Sequence, residues 1–114
     1  MAANPFEVNV QKLSDRVLME LRGEMNSFAE QALSAAYSEA EGFDLPIILL
    51  DFSRVTYINS TGIALIVGLM SRAQKAGRRL VVFGLSDHYQ EIFQITRLAD
   101  YLSIVPDQAS AMAV

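Results

Sequence analysis

Cysteine and tryptophan are missing from this chain, and histidine occurs once, as His88. Without thiols there is no disulfide framework, no thiolate metal site and no cysteine nucleophile. One histidine cannot build a histidine metal cluster, and any Ser/His/Asp mechanism would have to run through it. Basic charge is also scarce: 9 Lys and Arg face 13 Asp and Glu, for a net charge of -4. That is the wrong sign for a nucleic-acid or anionic-membrane surface. No long hydrophobic run is present either. The longest apolar stretch, Ile63 to Met70 with Gly68 inside it, is far short of the roughly 20 residues that span a bilayer, so no membrane insertion is expected. The opening MAANPFEVNVQ has no basic start followed by an apolar stretch, so it does not read as a signal peptide. A cytoplasmic protein is expected. The glycines form neither G-x-x-x-x-G-K-[ST] nor G-x-G-x-x-G, so those ways of cradling a nucleotide are absent, and no cofactor or metal is implied.

What is present is enough for a core. Of 114 residues, 52% are hydrophobic and 19% charged, which fits one domain over residues 1–114 and is too apolar for disorder. Phe6, Val8 and Val10 alternate with polar residues, as in a strand with one wet face. After the Ser14-Asp15-Arg16 turn, Val17 to Leu21 reads as a second strand and completes a hairpin. Asn26 can cap a helix over FAEQALSAAYSEA, with Gly42 and Pro46 as its stop. Ile47 to Leu50 and Leu80 to Phe83 are continuous apolar runs, the pattern of parallel strands covered on both faces. Between them a helix spans about Gly62 to Ala76, closed by Gly77. Ser86 or Asp87 caps the next helix, which carries Tyr89, Ile92, Phe93 and Thr96. Leu102 to Val105 is a last strand, and Asp107 opens a short final helix. The order is β-β-α-β-α-β-α-β-α, an α/β sandwich with helices concentrated on one side.

Few residues are equipped for catalysis, and no catalytic residue is assigned. Asp51, at the end of a predicted buried strand, stands where open α/β sheets often carry functional groups, or simply turns the chain. His88 reads as a solvated surface residue. Met19, Met25, Met70 and Met112 read as core or near-core filling. The informative segment is Tyr57-Ile58-Asn59-Ser60-Thr61-Gly62-Ile63. Asn59, Ser60 and Thr61 can each cap the following helix through a side-chain oxygen. At 100° per residue, Ile63, Ile66, Val67, Met70 and Ala73 form the face expected to pack on the sheet. Ser60, Ala64, Gly68, Ser71 and Lys75 line the opposite stripe, with Thr61 and Arg72 at its border. Glycine inside a helix costs about 1 kcal/mol relative to alanine, so Gly68 invites a reason, and close approach of another surface is one. A serine at a helix start also tolerates phosphate, because free amides and the positive end of the helix dipole receive the charge.

The run from Ile48 to Ile63, ILLDFSRVTYINSTGI, resembles the core signature of STAS domains, especially bacterial anti-sigma factor antagonists. Lys75-Ala76-Gly77-Arg78-Arg79-Leu80 and Phe93-Gln94-Ile95-Thr96-Arg97-Leu98 resemble the family as well. The resemblance implies a mixed β-sheet with helices mainly on one face. It also implies a binding module in place of an enzyme. In that family a D-S-x-G-type loop presents the serine that an anti-sigma factor serine kinase phosphorylates, and the unmodified form binds that kinase. Ser60 takes the serine's place and Gly62 the glycine's, while Asn59 stands where the family usually has aspartate. Thr61 is a secondary acceptor. The implied partner-binding set is Asn59, Ser60, Thr61, Gly62, Ala64, Gly68 and Ser71. A phosphatase acting on phosphorylated Ser60 completes the cycle.

Two other readings compete. The same fold can serve as a regulatory subunit of another signalling complex or of a lipid-transport ATPase. A receiver-like domain would instead use Asp51 as phospho-acceptor, but it needs clustered acids after the first strand and a lysine after the last. Gln11-Lys12-Leu13 and Ile104-Val105-Pro106 supply neither.

Overall fold

In the computed structural model, which describes residues 4–114, the chain opens with strands β1 (Glu7–Lys12) and β2 (Val17–Met25). A 3-10 turn (Ser27–Ala29) then leads into helix α1 (Glu30–Gly42). Strand β3 (Ile47–Ile58), helix α2 (Ser60–Ala76), strand β4 (Arg79–Phe83) and helix α3 (Asp87–Ile95) follow. A second 3-10 turn (Leu98–Asp100), strand β5 (Ser103–Val105) and helix α4 (Gln108–Met112) complete the order read from the sequence.

The sheet is mixed, in the spatial order β1-β2-β3-β4-β5. β1 and β2 pair antiparallel, with Val8 opposite Leu21 and Val10 opposite Met19. Each later neighbour is parallel because a helix carries the chain back across the sheet. Strand side chains alternate between two cores. Met19, Leu21, Ile48, Leu50, Phe52, Leu80 and Val82 meet Leu33, Tyr37, Ile66, Leu69 and Phe93 from α1, α2 and α3. Leu18, Leu49, Val81 and Phe83 form a smaller core on the other face with Ala111 of α4. Helices therefore sit mainly on one face, and the continuous apolar runs are the strands covered on both.

The cover on the second face is pinned by one buried cation. Arg16 is 6% exposed, and its Nη1 donates to the carbonyls of Ala111 (3.0 Å) and Val114 (3.1 Å). Its other nitrogens donate to the Asp15 carboxylate at 2.9 and 3.0 Å. Those hydrogen bonds hold the Asp15 carboxyl below its usual range. The guanidinium thus neutralises carbonyls at the negative end of α4 while its own charge is balanced.

Several boundaries differ from the sequence reading. β3 does not stop at Leu50. It runs on to Ile58, so Asp51 sits in mid-strand, where its Oδ1 accepts from the Ser53 amide (2.8 Å) and hydroxyl (2.6 Å). β2 likewise runs past Leu21 to Met25, with register shifts either side of Gly23. Gly23 has φ +90, and a Cβ there would fall 2.2 Å from the Pro5 carbonyl oxygen, so the residue bulges under the incoming chain. At the end of α1 the left-handed residue is Asp44 (φ 53), while Gly42 stays helical. Met112 is exposed, and Ala111 is the α4 side chain in the core.

Candidate functional site

β2 and β3 reach their C-terminal ends together, and the turn carrying Ser60 lies there. The Asn59 amide donates to the Met25 carbonyl at 3.2 Å, tying the entry of α2 to the end of β2. Asn59 is the N-cap: its extended backbone turns the chain, and its Oδ1 accepts from the Gly62 amide at 2.9 Å. A Cβ on Gly62 would fall 2.2 Å from the Met25 carbonyl oxygen, so the glycine is required for this close approach. Ile58 is held from the other side. Beyond Asp51 the β4 ladder has ended, and the Tyr89 hydroxyl takes its place by accepting the Ile58 amide at 2.8 Å. His88 packs edge-on against that tyrosine ring, with centroids 4.9 Å apart.

This bonding leaves a particular pattern at the head of α2. A helix exposes its first few amides. Here the Asn59 and Gly62 amides are taken, and the Ile63 amide donates to the Asn59 carbonyl at 3.0 Å. The remaining first-turn donors are the amides of Ser60 and Thr61, and both residues are exposed. The serine hydroxyl is thus next to unclaimed N–H groups, and the cap belongs to its neighbour. A phosphate on Ser60 could take those donors without disturbing the cap.

The face of α2 is turned relative to the sequence reading by about 70° at 100° per residue. Gly62, Ile66, Leu69 and Ala73 point into the core, and Ile63 and Met70 are only partly buried. Val67, assigned to the sheet face, is 39% exposed, whereas Leu69 is 4% exposed. The cause is local: Ile63 to Met70 is apolar at nearly every position, so periodicity alone cannot orient it, and the helices beside α2 decide. Ser60 and Ala64 remain on the outer stripe, with Ser71 at its part-buried far end, and they now flank Val67. A Cβ on Gly68 would meet nothing within 4 Å, so no contact inside the chain explains that glycine.

Thr61, Ala64, Leu65, Gly68 and Leu69 form one wall of an open groove of ≈ 450 Å³, with Glu30, Leu33 and Ser34 of α1 opposite. Arg72 closes its far end. Its Nη2 donates to Ser38 Oγ (3.2 Å) and to Glu41, and its guanidinium lies 4.7 Å from the centre of the Tyr37 ring. Arg72 is therefore a strut between α1 and α2.

The other sequence candidates stand apart from this turn. Asp51 is engaged with Ser53 in mid-strand of β3, level with Phe83, the last residue of β4. Among the described residues no group of three His, Cys, Asp or Glu side chains is placed to hold a metal ion. No helix among them is long and apolar enough to cross a membrane. Two exposed aromatic residues have no role of their own in the sequence reading. Phe28, expected in the first turn of α1, instead occupies the 3-10 turn with its ring 91% exposed, and Tyr57 is also exposed.

The model of the STAS domain matches residues 7–111 of this chain. The chain belongs to the STAS domain family. Among its STAS relatives, the anti-sigma-B factor antagonist of Listeria monocytogenes is 30% identical over 94 residues, covering 80% of each protein. The protein of the same name from Bacillus subtilis is 29% identical over 101 residues, 87% of this chain and 90% of that one. Solved structures share the STAS fold at low identity. An anti-sigma factor antagonist from Mycobacterium paratuberculosis superposes with a TM-score of 0.85 at 17% identity, covering 98% and 95% of the two chains. Unphosphorylated SpoIIAA, an anti-sigma factor antagonist, gives a TM-score of 0.72 at 18% identity, covering 93% and 94%.

Proposed function

We propose that this STAS protein is an anti-sigma factor antagonist whose binding is switched at Ser60. In the unmodified state the Asn59–Gly62 turn and the Ala64, Gly68 and Ser71 stripe of α2 dock on a cognate anti-sigma serine kinase in the cytoplasm. Phosphate on Ser60 ends the complex, and a phosphatase restores it. Thr61 is the secondary acceptor. The chain supplies no catalytic group in this cycle; it is the substrate of its partner.

One observation carries the reading: the exposed Ser60 hydroxyl lies beside the Ser60 and Thr61 amides, while the cap is held by Asn59. A phosphate there meets the positive end of a 17-residue helix and leaves the Asn59 to Gly62 bond in place. The domain survives modification, and the docking surface gains bulk and about two negative charges. Asn59, being neutral, adds no repulsion toward that dianion. The names of the curated relatives support the partner class.

The direct test is phosphate mapping. The chain is incubated with the kinase and ATP, and the peptide spanning Ser60 and Thr61 is sequenced by mass spectrometry. Phosphate on Ser60, abolished in Ser60→Ala, is the expected result. A competent kinase that leaves this peptide unmodified contradicts the proposal.

A further inference from the structure

Phe28 is 91% exposed, although Met25 and Ala29 on either side of it are fully buried. Its position is not that of a loose loop. The Phe28 amide donates to Asn26 Oδ1 at 2.9 Å, and the Ala29 amide donates to the Asn26 carbonyl at 3.0 Å. The backbone is thus fixed on both sides while the ring is held in water. Holding a large aromatic ring outward on a rigid turn removes much of the ordering cost that binding would otherwise incur. Aromatic side chains presented this way dominate protein interfaces.

Its location connects it to the Ser60 turn. The 3-10 turn directly follows the end of β2, whose Met25 carbonyl holds the Asn59 amide. Two residues after Phe28, Glu30 faces Thr61 across the mouth of the α1–α2 groove. The charge left unanswered on this rim is negative. Glu30 is exposed and makes no ion pair among the described residues, whereas Arg72, the cation of the groove, is held by Glu41.

We propose that Phe28 is the aromatic anchor by which this chain engages its anti-sigma kinase. It seats in an apolar pocket of the partner while basic groups of the partner meet Glu30. The inference rests on the partner assigned above and adds a residue outside the serine turn that sets affinity and partner choice. Because its ring touches little of its own chain, Phe28 can vary between paralogous antagonists at little expense in stability and so distinguish their kinases.

The test is a calorimetric titration of the purified chain into the kinase with no ATP present, comparing wild type, Phe28→Ala, Glu30→Lys and Tyr101→Ala. Tyr101 is an exposed aromatic beside the start of β5, at the opposite end of the parallel strands. Phe28→Ala is expected to bind about 30-fold more weakly, the loss expected for an interface hot spot. Glu30→Lys should bind about fivefold more weakly, and Tyr101→Ala should match wild type. All variants should keep the wild-type urea midpoint. If wild type binds and Phe28→Ala binds equally well, the anchor is refuted while the partner assignment stands. If wild type does not bind, the partner assignment fails and this proposal falls with it. If Phe28→Ala instead dissolves a dimer of the chain and leaves kinase affinity unchanged, Phe28 belongs to an interface between copies and the proposal is overturned.

Discussion

The two glycines of α2 should respond to the same substitution with opposite sign. Gly62→Ala places a methyl group 2.2 Å from the Met25 carbonyl oxygen and 2.8 Å from Ile58 Cγ2. The carbonyl would have to retreat by about 1 Å to reach even a close C···O contact of about 3.3 Å. That movement strains the bond it accepts from Asn59, now 3.2 Å long. Overpacking of this kind costs about 1–3 kcal/mol, and weakening the hydrogen bond adds about 1. The helix propensity gained offsets roughly 1, leaving a net loss of about 1–3 kcal/mol. Gly68→Ala meets nothing within 4 Å and keeps only the propensity gain, a stabilisation of about 0.5–1 kcal/mol. For a chain of 114 residues each kcal/mol moves Tm by about 4 °C. Urea and thermal unfolding of the two variants beside wild type provide the assay. Gly62→Ala should unfold earlier and Gly68→Ala later. A destabilised Gly68→Ala would show that an internal contact explains that glycine, and removes the reason for placing a partner against it. A Gly62→Ala as stable as wild type would refute the close approach of α2 to β2.

Three further outcomes follow from the same geometry. Tyr89→Phe leaves the Ile58 amide without its acceptor, so stability should fall by about 1–3 kcal/mol, and hydrogen exchange at that amide should accelerate; unchanged protection would contradict the clasp. Asn59→Ala removes the α2 cap and should cost about 1 kcal/mol. Ser60→Ala should stay within about 0.5 kcal/mol of wild type, and equal losses in urea titrations would show that Ser60 shares the capping. Acid should loosen α4 before the main core. Asp15, bonded to Arg16, and Asp107, which accepts the Ser110 amide as the α4 cap, both titrate below the usual carboxylate range. A carboxyl depressed in the folded state contributes stability above its ordinary value, and loses it as pH falls through the folded one. Ala111 amide protection should therefore drop below about pH 4, ahead of Leu50, and simultaneous loss would contradict the separate latch.

Local chemistry was readable from the residues, and tertiary context was not. Asn59 and Ser86, each among the candidates offered for its helix, and Asp107 are the observed caps, and Gly77 ends α2 with φ 70. Each of those outcomes depends on residues within one turn. The apolar runs Ile47–Leu50 and Leu80–Phe83 revealed buried parallel strands because both faces are covered. The rest of β3 carries Asp51, Ser53, Arg54 and Thr56, polar residues that one open sheet face tolerates and that give no strand signal. The rotation of α2 was hidden because Leu65, Val67 and Leu69 are equally apolar, and only the position of α1 decides which of them meets water. The exposure of Phe28 follows from the 3-10 turn, a feature with no periodicity of its own.

The phosphorylation switch is tested most directly by the affinity of the anti-sigma kinase for the chain in its two states. Chain phosphorylated at Ser60, purified and verified by mass, is titrated beside the unmodified chain, with circular dichroism as a check on the fold. Binding should be lost on phosphorylation while the spectrum and the unfolding midpoint are retained, since the modified residue is not the helix cap. Equal affinity of the two forms would rule out the switch at Ser60, whatever the position of the phosphate.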